Sequence, residues 1–412
     1  MGIVTAAAGR RDGYQLPVSL AEAGLLDAHV TDRYLPDSIA PFVDAVSRNS
    51  GIRPLEGLAR SHHDQLPSQL VHCSRRLLLA KVPQRLKPSL RQRWSDDQDP
   101  ISWSALRLAQ RHDSALLLHM GYAHHAFMAE KSASRKRGLV QYHPHIGESA
   151  RILLADLDRY PALSDAREQL KLDQEDLSNH VELERADLVI CNSSFTARTC
   201  QDLGVESSRL QVIPFGIDSW QRRMPKPQTG RRDRCHFLFV GSGLHRKGIL
   251  HLIEAWGKAQ LSHSKLTLVC RSIDPQISES WSLPEGIHLC SAVSQSELEE
   301  LYQQADVFVL PSLVEGFGYV YLEALARGCF CLGTWNTGLP DVADQSSAML
   351  IPAGQPAELA NALIYLESFA FEQGFNREKI AASILRWSWS RFRQEVVAAA
   401  QHHLLQSTEY GR

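Results

Sequence analysis

Residues 311–328 read Pro-Ser-Leu-Val-Glu-Gly-Phe-Gly-Tyr-Val-Tyr-Leu-Glu-Ala-Leu-Ala-Arg-Gly. A short apolar run at 307–310 precedes them, and the pattern beyond Gly318 predicts a helix. Gly316 and Gly318 carry no side chain, so backbone amides at this turn can come close to a ligand. A helix that starts here offers free N–H groups and the positive end of its dipole, which suits a diphosphate. Glu315 lies in the turn and Glu323 eight positions later, roughly two turns along at ~3.6 residues per turn. The two need not share a face, so they can touch different parts of one extended ligand. A carboxylate presents two acceptor oxygens, which match the paired hydroxyls of a ribose or hexose. The plain structural alternative is a glycine-capped helix start with two solvated glutamates.

Histidines supply the other candidates. His143 and His145 end a strand in Leu-Val-Gln-Tyr-His-Pro-His, while His119, His124 and His125 follow the strand expected at 114–118. Their spacing gives no good metal chelate, and loop or helix positions explain several of them. No aspartate pair is placed to hold a metal either, since Asp96-Asp97 reads as a helix cap.

These residues need a scaffold. The chain has 412 residues, enough for two or three domains at roughly 100–200 residues each. Its hydrophobic content of 44% and charged content of 22% are those of an ordinary soluble globular protein. A net charge of −2 gives no global field for nucleic acid. The eight cysteines form no C-x-x-C pair and read as small buried hydrophobes in a reducing compartment. The first apolar run is too short for a signal peptide, and no stretch approaches the ~18–20 apolar residues of a spanning helix. The cytoplasm is the expected location.

Strands are expected at 2–8, 28–32, 114–120, 138–142, 186–191 and 210–214, with helices at 16–26, 164–185 and 196–203. Residues 40–110 give no clear alternation. Residues 219–234, with two prolines and many basic residues, have the composition of a linker. A second series follows, with strands at 236–240, 265–270, 287–289, 307–310 and 329–333 and helices at 247–259, 296–304, 318–327 and 356–368. Apolar runs bounded by turns are what parallel sheets require. The pattern predicts an α/β protein of two doubly wound domains, 1–220 and 235–385, with chemistry outside the carboxyl ends of the strands. Apolar Phe392, Val396, Val397 and Ala400 predict a final amphipathic helix at 387–405.

Glu315-Gly-Phe-Gly through Glu323, spaced Glu-x7-Glu after Pro-Ser, resembles the signature of the family 4 retaining glycosyltransferases. Phe239-Val-Gly-Ser-Gly-Leu-His-Arg-Lys-Gly248 is similar to the family's strand and loop that end in a basic pair near the donor diphosphate. Val212-Ile-Pro-Phe-Gly-Ile-Asp218 resembles its domain junction, and Ala186-Asp-Leu-Val-Ile-Cys-Asn-Ser-Ser194 its last N-domain strand. The resemblance is specific from about 180 to 345 and weak before 110.

The resemblance implies a GT-B architecture: two Rossmann-like domains face a cleft, and the last helix crosses back onto the first. It implies transfer of a sugar from a nucleotide-diphosphate sugar to an unknown acceptor, a glycan, lipid or small molecule, in polysaccharide or glycolipid biosynthesis. Glu315 would contact the donor sugar and Glu323 the ribose. Gly241, Gly243, Gly316, Phe317, Gly318 and Tyr319 would complete the donor site. Arg246 and Lys247 would stabilise charge on the leaving diphosphate, so no metal or other cofactor is expected. A histidine at the end of an N-domain strand would bond a donor hydroxyl, either His143 or His145. The family's Gly-Gly before its first helix is here Asp12-Gly13, so Gly13 carries the backbone approach. Asp341 stands where the family commonly has Glu.

Between Val71 and Trp94 lie seven basic residues, Arg75, Arg76, Lys81, Arg85, Lys87, Arg91 and Arg93, and no acidic one. This run is a candidate for peripheral contact with an anionic membrane at its inner face; its bland reading is a solvated basic face broken by prolines. No carboxylate pair resembles the two-carboxylate site of a glycosidase, which favours same-face attack helped by the leaving diphosphate. Two other functions fit the same residues. One is a nucleotide-sugar epimerase or phosphorylase, the other a non-catalytic sugar-nucleotide-binding protein.

Overall fold

The computed structural model describes residues 1–50, 58–73, 100–218, 234–280, 282–291 and 293–406. Most of the basic run at 71–94 and most of the expected linker therefore lie outside the described residues.

Two parallel sheets organise the chain. The first contains β1 (Ile3–Ala6), β2 (Leu26–Thr31), β3 (Val71–Cys73), β4 (Ala115–His119), β5 (Arg137–Gln141), β6 (Leu188–Cys191) and β7 (Leu210–Val212). Its order is β3-β2-β1-β4-β5-β6-β7. The second contains β8 (Cys235–Val240), β9 (Ser264–Val269), β10 (Ile287–Cys290), β11 (Val307–Leu310), β12 (Phe330–Thr334) and β13 (Ala348–Ile351), in the order β10-β9-β8-β11-β12-β13. Central strands such as Val-Phe-Val-Leu of β11 and Leu-Val-Ile-Cys of β6 are buried along their whole length, because helices cover both faces. In each sheet the order reverses beside the first strand, between β1 and β4 and between β8 and β11. Ligands of doubly wound sheets bind at such switch points. The α/β fold is thus that of two Rossmann-like units.

Several elements differ from expectation. The first helix, Gln15–Glu22, stops early because Gly24 takes a left-handed φ of 68° and turns the chain into β2. The expected 164–185 helix is two helices, Ser164–Glu175 and Ser178–Arg185. The helix after Asp96-Asp97 is Pro100–His112, whereas the helix Ile146–Leu157 and the edge strand β13 carried no expectation. Leu157 and Leu163 belong to the core around the second sheet, so the chain after Ile146 leans on that unit rather than only on the first.

The units meet where the chain passes between them twice. Ile217 N–H donates to the Trp387 carbonyl at 3.0 Å, and Ile217 bridges Ser388 as a parallel strand pair. Gly216 is required there, since a Cβ would lie 2.3 Å from the Trp389 nitrogen. Ser388 caps the helix Trp389–Ala400 by accepting from the Arg391 N–H. That helix buries Phe392, Val396 and Ala400 against Leu16, Leu20 and Leu117 of the first unit, and Arg393 pairs with Glu22 at 2.9 Å. Among the described residues no helix is long and apolar enough to cross a membrane.

Phe392 is fully buried in that contact. Phe392→Ala should cost about 3–5 kcal/mol, the range for truncating a core aromatic. Thermal unfolding should show a clear drop in Tm, and an unchanged Tm would mean that the helix is not docked in solution.

Candidate functional site

The loops after β8 and β11 are locked face to face by backbone. The β8 loop is drawn down by Gly241 N–H to Val269 O at 3.0 Å and Gly243 N–H to Ser272 O at 2.7 Å. Gly248 ends the short turn His245–Lys247 with a φ of 70°, and a Cβ there would lie 2.0 Å from the Pro311 carbonyl oxygen. The Arg246 carbonyl accepts from Leu313 N–H at 2.9 Å and from Val314 N–H at 3.4 Å. These contacts deliver two cations to one carboxylate. Arg246 Nη1 donates to Glu315 Oε2 at 3.0 Å, and Lys247 Nζ donates to the same oxygen. The Glu315 and Lys247 side chains are each 11% exposed, whereas Arg246 is 39% exposed and reaches outward. Burial pushes the Glu315 carboxyl upward, but the charges and hydrogen bonds of Lys247 and Arg246 outweigh it and hold its pKa below the ordinary value.

Gly316 is a point where the second unit touches the first. A Cβ there would lie 2.1 Å from the Tyr142 carbonyl oxygen. The Gly316 carbonyl accepts from Ser193 Oγ and from Thr196 Oγ1 at 3.3 Å. The Cβ side and the carbonyl of Gly316 are thus taken up by the neighbouring unit. At Gly243 a Cβ would meet Ile273 at 2.9 Å, so this glycine too serves close packing of the chain. Gly318 keeps an open role. Its φ of 82° turns the chain toward the helix Val320–Ala326, and with Phe317 and Tyr319 it lines a cavity of about 220 Å³ between the units.

That cavity separates the two histidines. His143 lines it beside Glu315. Burial lowers the His143 pKa, Glu315 opposes this, and the Arg246, Arg11 and Lys247 charges add to the lowering. His145 turns away and caps the helix Ile146–Leu157, accepting from the Glu148 N–H at 3.4 Å. His119 also lines the cavity, and burial depresses its pKa to about 3. Gly13 has a φ of 71° and sits beside the Arg10 guanidinium; the next residue, Tyr14, is left-handed too at 66°. Glu323 does not line the cavity. Its carboxylate accepts from the Tyr302 hydroxyl at 3.1 Å, and burial raises its pKa.

Arg11 and Asn192 are among the cavity residues that carried no functional expectation. Arg11 donates to the Tyr122 hydroxyl at 3.1 Å and lies 5.5 Å from the centre of that ring. The Arg10-Arg11 pair just after β1 was a signal for it. Asp341 bonds across the units, accepting from the Ser194 N–H at 3.0 Å and from the Ser194 hydroxyl. Among the described residues no His, Cys, Asp and Glu group is placed to hold a metal ion.

Two family models match this chain. Residues 234–368 match the model described as "Glycosyl transferases group 1", and residues 62–221 match "Glycosyltransferase Family 4". The MMP alpha-(1->4)-mannosyltransferase of Mycolicibacterium hassiacum is 24% identical over 211 residues, covering 49% of this chain and 51% of that one. The D-inositol 3-phosphate glycosyltransferase of Acidothermus cellulolyticus is 26% identical over 230 residues, 50% of each chain. The chain thus spans about half the length of these curated relatives. Among solved structures, sucrose-phosphate synthase from Thermosynechococcus elongatus superposes with a TM-score of 0.64 at 17% identity, covering 99% of this chain and 100% of that one. Anabaena HepE in complex with UDP and glucose gives 0.58 at 15% identity, covering 98% and 100%. Both show the same fold.

The paired carboxylate has a pH signature. Glu315 titrates lower in the folded chain than its ordinary 4.5, so its pairing stabilises the fold above that pH and is lost as pH falls through the folded value. Glu315→Gln cannot titrate. The Tm difference between the two proteins should therefore shrink as pH is taken below 4.5. A difference that stays constant with pH would contradict the pairing.

Proposed function

We propose that this chain, which belongs to the family 4 glycosyltransferases, moves a sugar from a nucleotide-diphosphate donor to an acceptor hydroxyl with retention of anomeric configuration. The observation that carries this reading is the buried Glu315 carboxylate paired with two cations beside a cavity between the units. Two positive charges face one negative charge, so the site has a surplus cation, and Arg246 is the one that reaches outward. A diphosphate bound there gains charge as its bond to the sugar breaks. Fixed cations stabilise that charge most in the transition state.

Glu315 has a double part in this reading. It holds the two cations in place before the donor arrives, and it lies beside the sugar's position with His143 opposite. The lowered pKa keeps His143 neutral, so its imidazole can both donate and accept toward sugar hydroxyls. Among the cavity's described residues Glu315 is the only carboxylate, and it is already ion-paired. It is poorly suited to act as a nucleophile. Retention then follows from same-face attack. The acceptor oxygen bonds to the anomeric carbon as the bond to the diphosphate oxygen breaks, and the acceptor's proton passes to that oxygen.

Glu323 would take the ribose. Its bond to Tyr302 fixes one carboxylate oxygen and leaves acceptor capacity on the other. HepE is solved with UDP-glucose, which makes that donor the first to try. A thermal-shift series of UDP-, GDP-, ADP- and TDP-sugars identifies the base, because a ligand of the folded state raises Tm. Transfer that depends on an acceptor and conserves the anomeric signal by NMR separates this function from epimerisation or simple binding. Glu323→Ala should weaken donor affinity by roughly 10–100-fold, the worth of about 1.5–3 kcal/mol in hydrogen bonds to a charged group, with a smaller change in kcat. Normal donor affinity in the folded variant would remove Glu323 from the site.

A further inference from the structure

Outside the cavity, three ionisable side chains meet in a buried knot that the reading above leaves unused. Asp156 lies in the last turn of the helix Ile146–Leu157. Its Oδ2 is 2.7 Å from His245 Nε2, and its Oδ1 is 2.9 Å from His251 Nε2. The side chains are 10%, 7% and 2% exposed, respectively. The Tyr160 ring covers both imidazoles, at 5.9 Å from His245 and 5.5 Å from His251. Burial pushes the Asp156 carboxyl up, but the hydrogen bonds and charges of the two histidines outweigh it and hold its pKa at about 2. His251 Nδ1 has no partner among the described residues. Nε2 therefore carries the proton that faces the carboxylate.

The place of the knot gives it a purpose. Asp156 belongs to the chain before the units cross, and both histidines to the chain after. His245 shares the three-residue turn His245–Lys247 with the basic pair, and His251 lies in the first turn of the helix Ile249–Ala259 that follows. The turn is thus pinned twice. On one side Asp156 holds His245, and on the other the Arg246 carbonyl holds Leu313 N–H and Val314 N–H. We infer that Asp156 is a positioning residue, which acts through His245 to set the Arg246–Lys247 turn against the leaving diphosphate. The inference rests on the role proposed above for the basic pair.

The physical need is plain. A fixed charge stabilises a transition state best when nothing must reorganise at the moment of reaction. A misplacement of about 1 Å can cost ~10²-fold in rate. Arg246 is partly exposed and has a flexible stem, so its precision has to come from the turn beneath it. A knot that merely docks the two units would affect stability, and both histidine arms would then matter alike.

The test uses Asp156→Asn, His245→Gln and His251→Gln in the full chain, with Tm, donor affinity and kcat measured on each. Asp156→Asn and His245→Gln should lower kcat by roughly 10–100-fold while donor affinity stays within about threefold. His251→Gln breaks only the anchoring arm, so it should lower Tm and leave kcat within about threefold. If Asp156→Asn fails to fold, His245→Gln decides the matter alone. Near-normal kcat in folded His245→Gln, or equal kcat losses from the two histidine variants, would overturn the inference. Absence of turnover by the unaltered chain with every nucleotide sugar would instead overturn the functional reading, and the inference with it.

Discussion

A carboxylate removed from water has few stable arrangements, because its desolvation must be met by opposite charge and directed hydrogen bonds. Glu315 is such a group, and Lys247 and Arg246 meet its need from another loop. Much local sequence follows from that one requirement. Gly248 lets the β8 loop settle on Pro311, and the Arg246 backbone carbonyl ties down the residues just before Glu315. Gly316 then presses the whole turn onto Tyr142. An isolated buried charge would be ruinous, yet the same charge holds two cations beside a cavity. Stability and chemistry depend here on one contact.

Contacts between the two units share this economy of position. Ser193 and Thr196 hold the Gly316 carbonyl, Asp341 holds Ser194, and Arg198 donates to the Trp335 carbonyl at 3.0 Å. Each is a polar contact near the loops that line or flank the cavity. Phe215 lies at their centre, with Tyr142, Phe317 and Trp389 around it at 4.8, 5.0 and 5.8 Å. Any motion that parts the units therefore alters the site. Closing over substrate, which excludes water and strengthens every charge interaction inside, would be read directly by these residues.

The fold was largely legible in the residues because buried parallel strands write themselves as apolar runs between turns. Ile146–Leu157 was not, since its cap is His145, a residue type that seldom marks a helix start. β13 was hidden by its place at a sheet edge, where it is only half buried. In the site, the Glu315 and Arg246-Lys247 pattern pointed to chemistry, but not to their direct pairing, because residues 68 or 69 positions apart in the chain show no such contact in a single sequence. At Gly243 and Gly316 the missing Cβ admits a close contact within the chain, which the residue type alone does not specify. A missing Cβ signals close approach without saying to what. The Asp156 knot was invisible for the same reason as the Glu315 pair, since its partners lie 89 and 95 positions apart.

In the proposed reaction Arg246 and Lys247 stabilise the departing diphosphate. Single-turnover rates at saturating nucleotide sugar test it most directly, comparing the unaltered chain with a folded Arg246→Ala, Lys247→Ala double variant. The double variant should lose ~10²-fold or more in the chemical step, the scale of removing an oriented donor from a developing anion, with a much smaller change in donor affinity. A single-turnover rate close to that of the unaltered chain would contradict it.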